Sequence, residues 1–217
     1  MASSIVRLGA VALACASGVI ATEVYQLKEA YTPSNFFTKF EFFSEKDPNG
    51  GFVKYVTKDI AENTRLVRTA EDSVYIGVDS TGTDQDGRSS VRLQSKSSYN
   101  KGLIIADFAH FPGSSCGSWP AFWMAGPTWP GDGEVDIYEG WNLNTKNKVV
   151  LHTDAPGNTG VCKIEQSAMS SPISYSNCWT GDPTQPGNTG CAVEENNGLW
   201  ANSKGGICEY YGSGGTC

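Results

Sequence analysis

Short hydrophobic runs separated by turn-forming residues dominate the first half of the chain. These runs are rich in aromatic and β-branched residues, and they cover 36–43, 52–55, 73–78 and 90–94. Segments rich in Gly, Pro and Asp lie between them. This spacing is typical of the strands of an all-β sandwich. No stretch keeps a helical period over three turns, and 56–68 is the nearest.

A different pattern follows, in which three carboxylates interrupt β-forming residues. Glu134, Asp136 and Glu139 lie within six residues that also include Val135 and Ile137. Because side chains alternate between the two faces of a strand, Glu134 and Asp136 share a face. Strict alternation sends Glu139 to the other face, unless one extra residue after Asp136 forms a β-bulge. With a bulge, all three acids face one cleft.

Three acids this close together indicate a catalytic site. Like charges repel and raise one another's pKa, so a fold keeps such a cluster where a reaction needs one protonated and one ionised carboxyl group. Four strand steps separate the backbones of Glu134 and Glu139 by roughly 13 Å, and inward-leaning side chains shorten that distance. The remaining gap suits the carboxyl separation of about 5–5.5 Å in retaining glycosidases.

Three tryptophans precede the acids, at positions 119, 123 and 129. Aromatic faces stack on the C–H faces of sugar rings, although many large aromatics instead pack in cores. Because Trp119, Trp123 and Trp129 lie among Gly and Pro beside the carboxylates, we interpret them as the wall of a sugar-binding cleft. Trp141 fits a structural role equally well.

Residues 149–153 predict a strand next to the acids, with His152 projecting into the same cleft. The alternative is a hydrogen-bonded structural histidine. Gly113-Ser-Ser-Cys-Gly117 matches a nucleophile elbow formally, but turn formers flank it instead of a strand and a helix. No His/Cys spacing resembles a zinc site, so we expect no metal and no cofactor.

The acid motif, preceded by Ser118-Trp-Pro-Ala-Phe-Trp-Met124 and followed by Gly140-Trp-Asn142 and Leu151-His-Thr153, closely resembles the fungal laminarinase-type members of glycoside hydrolase family 16. The resemblance runs from about Tyr25 to about Ala192. It implies a secreted endo-β-glucanase with a concanavalin-like β-jelly-roll sandwich. Its substrate would be a β-1,3 or mixed β-1,3/1,4 glucan, hydrolysed with retention.

The resemblance also implies roles for individual residues. Glu134 would be the nucleophile, Glu139 the general acid and base, and Asp136 the residue that orients the nucleophile. The residues alone leave open which Glu does which job. The resemblance places His152 near the acid/base on the leaving-group side. The expected substrate-binding residues are Arg92, Trp119, Trp123, Trp129 and His152, with a solvated surface arginine as the alternative for Arg92.

The composition and net charge limit the classes of molecule that the protein is expected to bind. The chain has 217 residues with 16 basic and 23 acidic side chains, for a net charge of −7. Nucleic acid is disfavoured, because its binding needs clustered Lys and Arg. A neutral polymer such as a β-glucan feels no such repulsion, and the chain length suits one domain. We expect a monomer.

Arg7 and the apolar run at 8–21 predict a signal peptide over 1–21, so the domain would cover 22–217 and the protein would be secreted. A membrane anchor is the alternative, but the run is shorter than the roughly 20 residues that span a bilayer. We therefore expect no membrane association after cleavage. Cys15 would leave with the signal, and the other six of the seven cysteines could form disulfides in any of about fifteen pairings.

The resemblance fades after Val193. Family members continue with further strands of both sheets, whereas 205–217 has no strand pattern. We therefore expect a sandwich that is incomplete at the C-terminus, with uncovered core surface and unpaired sheet edges. Two alternatives to hydrolysis stay open, a transglycosylase of the same fold and a non-catalytic glucan-binding protein.

Overall fold

A computed structural model describes residues 25–194 except Ser114 and Thr145. The chain divides into two compact units, with the boundary between Ile105 and Ala106. Strands far outnumber helices in both units, as the sequence predicts. Within the described ranges, no helix has the length and apolar character that a membrane crossing requires. The predicted signal peptide and the tail after Glu194 lie outside the described residues.

The described part of the first unit, from residue 25 onward, contains six short strands and one α-helix. The strands are β1 (Phe40–Phe43), β2 (Val53–Tyr55), β3 (Val67–Thr69), β4 (Val74–Ile76), β5 (Arg88–Ser90) and β6 (Arg92–Ser95). β1 pairs with β6 and β3 with β4 in antiparallel fashion, while β2 and β5 are parallel. Val56, Ala61, Leu66 and Val67 form the buried core of this unit.

One local prediction in the first unit needs correction, and the segment nearest to a helical period does contain a helix. Phe36–Thr38 is a 3₁₀ turn, so only the second half of the predicted run 36–43 is a strand. The helix α1 (Lys58–Asn63) occupies part of 56–68 and begins after Thr57, whose Oγ1 accepts a hydrogen bond from the Ile60 N–H. Six residues are too few to produce a clear helical period in the sequence.

Up to Glu194, where the described residues end, the second unit is built on an antiparallel sheet of five strands. These are β7 (Ala121–Ala125), β8 (Glu134–Glu139), β9 (Lys148–His152), β10 (Ile173–Tyr175) and β11 (Cys191–Glu194). Their order across the sheet is β10-β11-β9-β8-β7. The predicted strand beside the acids is therefore confirmed as β9. Residues 154–188, between β9 and β11, contain β10 and the short helix α2 (Pro156–Thr159).

The predicted bulge in the acid strand is confirmed. Phe122 of β7 pairs with Tyr138 of β8, but Trp123 pairs with Asp136, so Ile137 is the extra residue. The register then places Ala121 opposite Glu139, and all three acids fall on one face. Tyr138 points to the other face, where it is buried against Phe111 with Phe122 packed beside them.

The side chain of Asn147 closes the bulge. Its Nδ2 donates to the Ile137 carbonyl at 2.9 Å, and its Oδ1 accepts from the Glu139 N–H at 2.9 Å. Asn147 is only 1% exposed. The pairing of β8 with β9 ends at Asp136, so it provides no partners for the backbone groups of Ile137 and Glu139. The side-chain amide of Asn147 supplies these partners instead. The sequence pattern did not predict this role of Asn147.

The structure shows the bonding state of four cysteines. Cys178 and Cys191, both buried, form a disulfide with a Cα–Cα distance of 4.1 Å. Cys116 is also disulfide-bonded, and Cys162 carries a free thiol. Cys208 and Cys217 lie outside the described residues.

Replacing Asn147 with alanine should lower the free energy of unfolding by about 1–3 kcal/mol, because the change leaves buried backbone groups of Ile137 and Glu139 unpaired. Urea unfolding measures the loss. Asn158→Ala is the matched control, since Asn158 is exposed and bonds the Asp154 side chain, and it should cost no more than about 0.5 kcal/mol. Equal stability of the two variants would contradict the role of Asn147.

Candidate active site

The three acids of β8 form one cluster on the face opposite the Tyr138 core. Asp136 and Glu139 are buried, and Glu134 is half-buried. Across the sheet, β7 sets Ala121 opposite Glu139 and Ala125 opposite Glu134. These two small side chains leave space above the ends of the strand. Carboxylates that are buried on one side and open on the other suit a reaction centre.

Two predicted cleft tryptophans bond directly to the acids. Trp119 Nε1 donates to Glu139 Oε1, and Trp129 Nε1 donates to Glu134 Oε2, both at 2.5 Å. Trp119 is 63% exposed and Trp129 is 48% exposed. Each indole N–H thus holds one carboxyl group of the cluster while its ring stays accessible. The sequence indicated their stacking faces but gave no sign of these N–H contacts.

Trp123 is the third predicted cleft tryptophan. It is half-buried on β7 and lies directly opposite Asp136 in the ladder. Residues directly opposite each other project to the same face of a sheet. Trp123 therefore lies on the acid face, between the positions of Ala121 and Ala125.

His152 joins the cluster from the neighbouring strand. It is the ladder partner of Glu134, and its Nε2 lies 3.1 Å from Asp136 Oδ2. The register of β9 thus sets His152 across from Glu134, and its predicted place near the acid/base on the leaving-group side stays a prediction. Burial lowers the pKa of His152, but the hydrogen bond to Asp136 and the charges of all three acids together raise that pKa above its ordinary value.

The main chain at Gly190 lies close behind His152. A Cβ placed on Gly190 would lie 2.3 Å from the Leu151 carbonyl oxygen and 2.8 Å from His152 Nδ1. Gly190 also has φ of 59°, a backbone conformation that glycine adopts without strain. Both the conformation and the close approach therefore require glycine at this position.

The environment of Glu139 favours its protonated form. Burial, followed by the negative charge of Asp136, raises the pKa of Glu139 to about 7, although the hydrogen bond from Trp119 opposes the shift. Glu139 therefore keeps its proton at mildly acidic pH. A proton donor with a pKa near the operating pH is what general acid catalysis requires.

Three of these groups also have the spacing of metal ligands. One ligand atom each from Glu134, Asp136 and His152 lies within 4.8 Å of the other two. This group contains no cysteine and only one histidine, so His/Cys spacing in the sequence does not indicate it. The hydrogen bonds to Trp129 and between His152 and Asp136 already engage all three residues. Nothing in their geometry requires an ion.

Arg92, a predicted substrate-binding residue, begins β6 in the first unit. Its Nη1 lies 4.0 Å from Asp47 Oδ1, and its guanidinium lies over the rings of Phe43 and Tyr55, at 4.6 and 5.8 Å from the centroids. This arginine is thus paired and stacked, which differs from a freely solvated surface residue. Its contact with sugar stays a prediction.

Comparison with known proteins identifies relatives. The family model described as "XgeA-like, catalytic GH16 domain" matches residues 40–209. A probable endo-1,3(4)-β-glucanase of Aspergillus niger is 41% identical over 195 residues, covering 88% of this chain and 25% of that protein. The endo-1,3(4)-β-glucanase xgeA of Emericella nidulans is 40% identical over 210 residues, covering 91% and 32%. The chain thus spans about a quarter to a third of these relatives.

Two solved structures of family 16 proteins are also similar to this chain. An elongating family 16 β-1,3-glucosyltransferase is 42% identical with a TM-score of 0.70, covering 80% of this chain and 57% of that chain. Laminarinase 16A from Phanerochaete chrysosporium, solved with β-glucans in its donor and acceptor sites, is 33% identical with a TM-score of 0.70, covering 78% and 55%. These likenesses confirm the predicted jelly-roll fold class. Since the family model matches well over half of it, the chain belongs to glycoside hydrolase family 16, in the XgeA-like group.

Proposed function

We propose that the protein is a retaining endo-hydrolase of β-1,3 or mixed β-1,3/1,4 glucans. One observation carries the proposal: the bulged strand β8 presents Glu134, Asp136 and Glu139 on a single face, with the pKa of Glu139 raised to about 7. A pair of carboxyl groups with different protonation states is what double displacement needs. The names of the relatives support a β-glucan substrate.

In the first step, a Glu134 oxygen attacks C1 of the sugar, and the bond from C1 to the leaving oxygen breaks. Glu139 transfers its proton to that oxygen, and a glycosyl ester of Glu134 forms. In the second step, Glu139 takes a proton from water as the water oxygen attacks C1. The bond from C1 to Glu134 breaks, and the product keeps the β configuration.

The neighbouring residues prepare these groups for the reaction. The indole N–H of Trp129 holds Glu134, and that of Trp119 holds Glu139. Asp136 lies within hydrogen-bond distance of His152, and the charge of Asp136 raises the pKa of Glu139, which favours the proton that Glu139 must donate. We assign Trp119, Trp123 and Trp129 to stacking on glucosyl rings, and His152 to polar contacts with sugar hydroxyls. Arg92, in the first unit, stays a sugar-binding residue predicted from the sequence.

Transglycosylation is the second candidate. It is favoured by the 42% identical structural neighbour, which is described as an elongating β-1,3-glucosyltransferase. It uses the same glycosyl ester and differs only in whether water or a sugar attacks. A non-catalytic glucan-binding protein is less well supported, because such a protein needs no carboxyl group with a raised pKa. Secretion, the monomeric state and the domain limits 22–217 stay predictions from the sequence.

Substituting either glutamate with glutamine should abolish hydrolysis of laminarin and leave glucan binding nearly unchanged, because the shape is kept and the ionisable group is lost. Reducing-sugar release and affinity gels measure the two properties. Rescue of the alanine variants by azide distinguishes the roles of the two glutamates. It should rescue Glu134→Ala to give an α-glycosyl azide and Glu139→Ala to give the β-azide. The reverse pattern would exchange the two assignments.

The pH dependence of kcat/KM should fall on the basic side near pH 7, because Glu139 must be protonated to donate. Asp136→Asn removes a negative charge that raises the pKa of Glu139, so the basic limb should move to lower pH. The position of the limb is the readout, since the rate itself should also drop. Asp107→Asn is the control, because Asp107 is exposed in the same unit and is not among the groups that shift Glu139. An unmoved limb in Asp136→Asn would show that Glu139 does not control it.

A further inference from the structure

The side chain of Gln185 holds together the segment that connects β10 to β11. Its Oε1 accepts the Asn177 N–H at 2.9 Å, and its Nε2 donates to the Asn177 carbonyl at 2.8 Å and to the Gly190 carbonyl at 3.0 Å. All three bonds go to the main chain. One half-buried amide therefore joins the residues that directly precede Cys178 and Cys191, the two cysteines of the disulfide.

Gly190 is the point at which this segment meets the candidate active site. It precedes β11, whose pairing with β9 begins with Cys191 opposite Leu151, so Gly190 lies beside His152. A Cβ on Gly190 would lie 2.8 Å from His152 Nδ1, so the main chain itself packs against the imidazole. Glycine permits this close approach but has the freest backbone of any residue. The hydrogen bond from Gln185 restricts that freedom at the Gly190 carbonyl.

His152 is held by different contacts on its two sides. Its Nε2 lies 3.1 Å from Asp136 Oδ2. Its Nδ1 is buried and has no hydrogen-bond partner among the described residues. On the Nδ1 side, packing against the Gly190 main chain therefore limits rotation of the imidazole. If Gly190 moved, the ring could turn and Nε2 could leave Asp136.

We propose that Gln185 is a positioning residue for His152, which it holds in place by bonding the Gly190 carbonyl. Held there, His152 keeps its contact with Asp136. The value of this contact for catalysis rests on the function proposed above, in which both residues serve the reacting acids. The neighbouring disulfide cannot replace Gln185, because it links side chains and does not bond the Gly190 carbonyl.

Gln166 offers a matched control in the same unit. Its Nε2 donates to the carbonyls of Met169 and Ser171 at 3.4 and 3.0 Å, and its Oε1 accepts the Ile173 N–H at 3.1 Å. Gln166 and Gln185 thus each donate two bonds to the main chain and accept one. The partners of Gln166 lie at or before the start of β10, which the order of the sheet places two strands from β9.

NMR of the imidazole rings reports on His152 directly. The chain has two histidines, and the other, His110, is exposed, so isotope-labelled histidine gives two sets of ring signals. A His110→Gln variant assigns them. Gln185→Ala should shift or broaden the His152 signals, because the imidazole then exchanges between positions. Gln166→Ala should leave the His152 signals unchanged, and the His110 signals should stay the same in both glutamine variants.

Hydrolysis of laminarin gives the second readout. Gln185→Ala should lower kcat/KM about five- to ten-fold and Gln166→Ala less than about two-fold, since only the first change reaches the acid cluster. Both variants should move the urea midpoint of unfolding to lower concentration by similar amounts, because each loses three hydrogen bonds to the main chain. Gln185→Met keeps the length of the side chain and loses the same bonds, so it should behave as Gln185→Ala does.

Unchanged His152 signals in both Gln185 variants would overturn the proposal, and so would an equal change in Gln166→Ala. Full activity in a variant whose His152 signals have moved would also overturn it. If neither Gln185 variant folds while Gln166→Ala does, Gln185 serves stability alone and the positioning role is wrong.

Failure of the proposed function gives a different result. If the unmodified protein does not hydrolyse laminarin, the NMR comparison still decides the role of Gln185. A change in the His152 signals confined to the Gln185 variants would then support the positioning role and contradict only the reaction.

Discussion

The single extra residue in β8 determines where the reactive groups lie. Without Ile137 as a bulge, strict alternation would turn Glu139 toward the buried face and Tyr138 toward the cleft. Phe111 would then lose its contact with the Tyr138 ring, and a carboxylate would enter an apolar core. Asn147 makes the bulge stable by bonding both the Ile137 carbonyl and the Glu139 N–H. One buried amide thus supports both the hydrophobic core and the geometry of the acids.

Bringing three carboxylates together has an electrostatic cost, and the surrounding side chains offset it unevenly. Glu134 receives the N–H of Trp129, and Asp136 lies within hydrogen-bond distance of His152. Glu139 is buried beside this negative charge, and its raised pKa is the result. The asymmetry is useful, because two identical carboxyl groups could not act as an acid and a nucleophile at the same pH.

The sequence predicted the parts of the site that depend on spacing along one strand. The interval between Asp136 and Glu139 was enough to infer a bulge, since only that irregularity aligns the acids. Contacts between distant segments were not predictable in the same way. The amide of Asn147, the indole N–H contacts and the position of His152 across from Glu134 all depend on register between strands, which one strand's pattern does not encode. Short elements such as α1 and β10 were missed because three to six residues give little periodic signal.

The disulfide between Cys178 and Cys191 clamps the chain on both sides of His152. Cys191 follows Gly190, whose main chain lies against the imidazole, and the Cys178 carbonyl accepts the N–H of Thr153, the residue after the histidine. Oxidation of Cys178 and Cys191 during folding therefore also ties down the main chain behind His152. In a compartment that keeps cysteines reduced this covalent link would be absent, so the redox state in which the chain matures affects the geometry of the acid cluster as well as the stability.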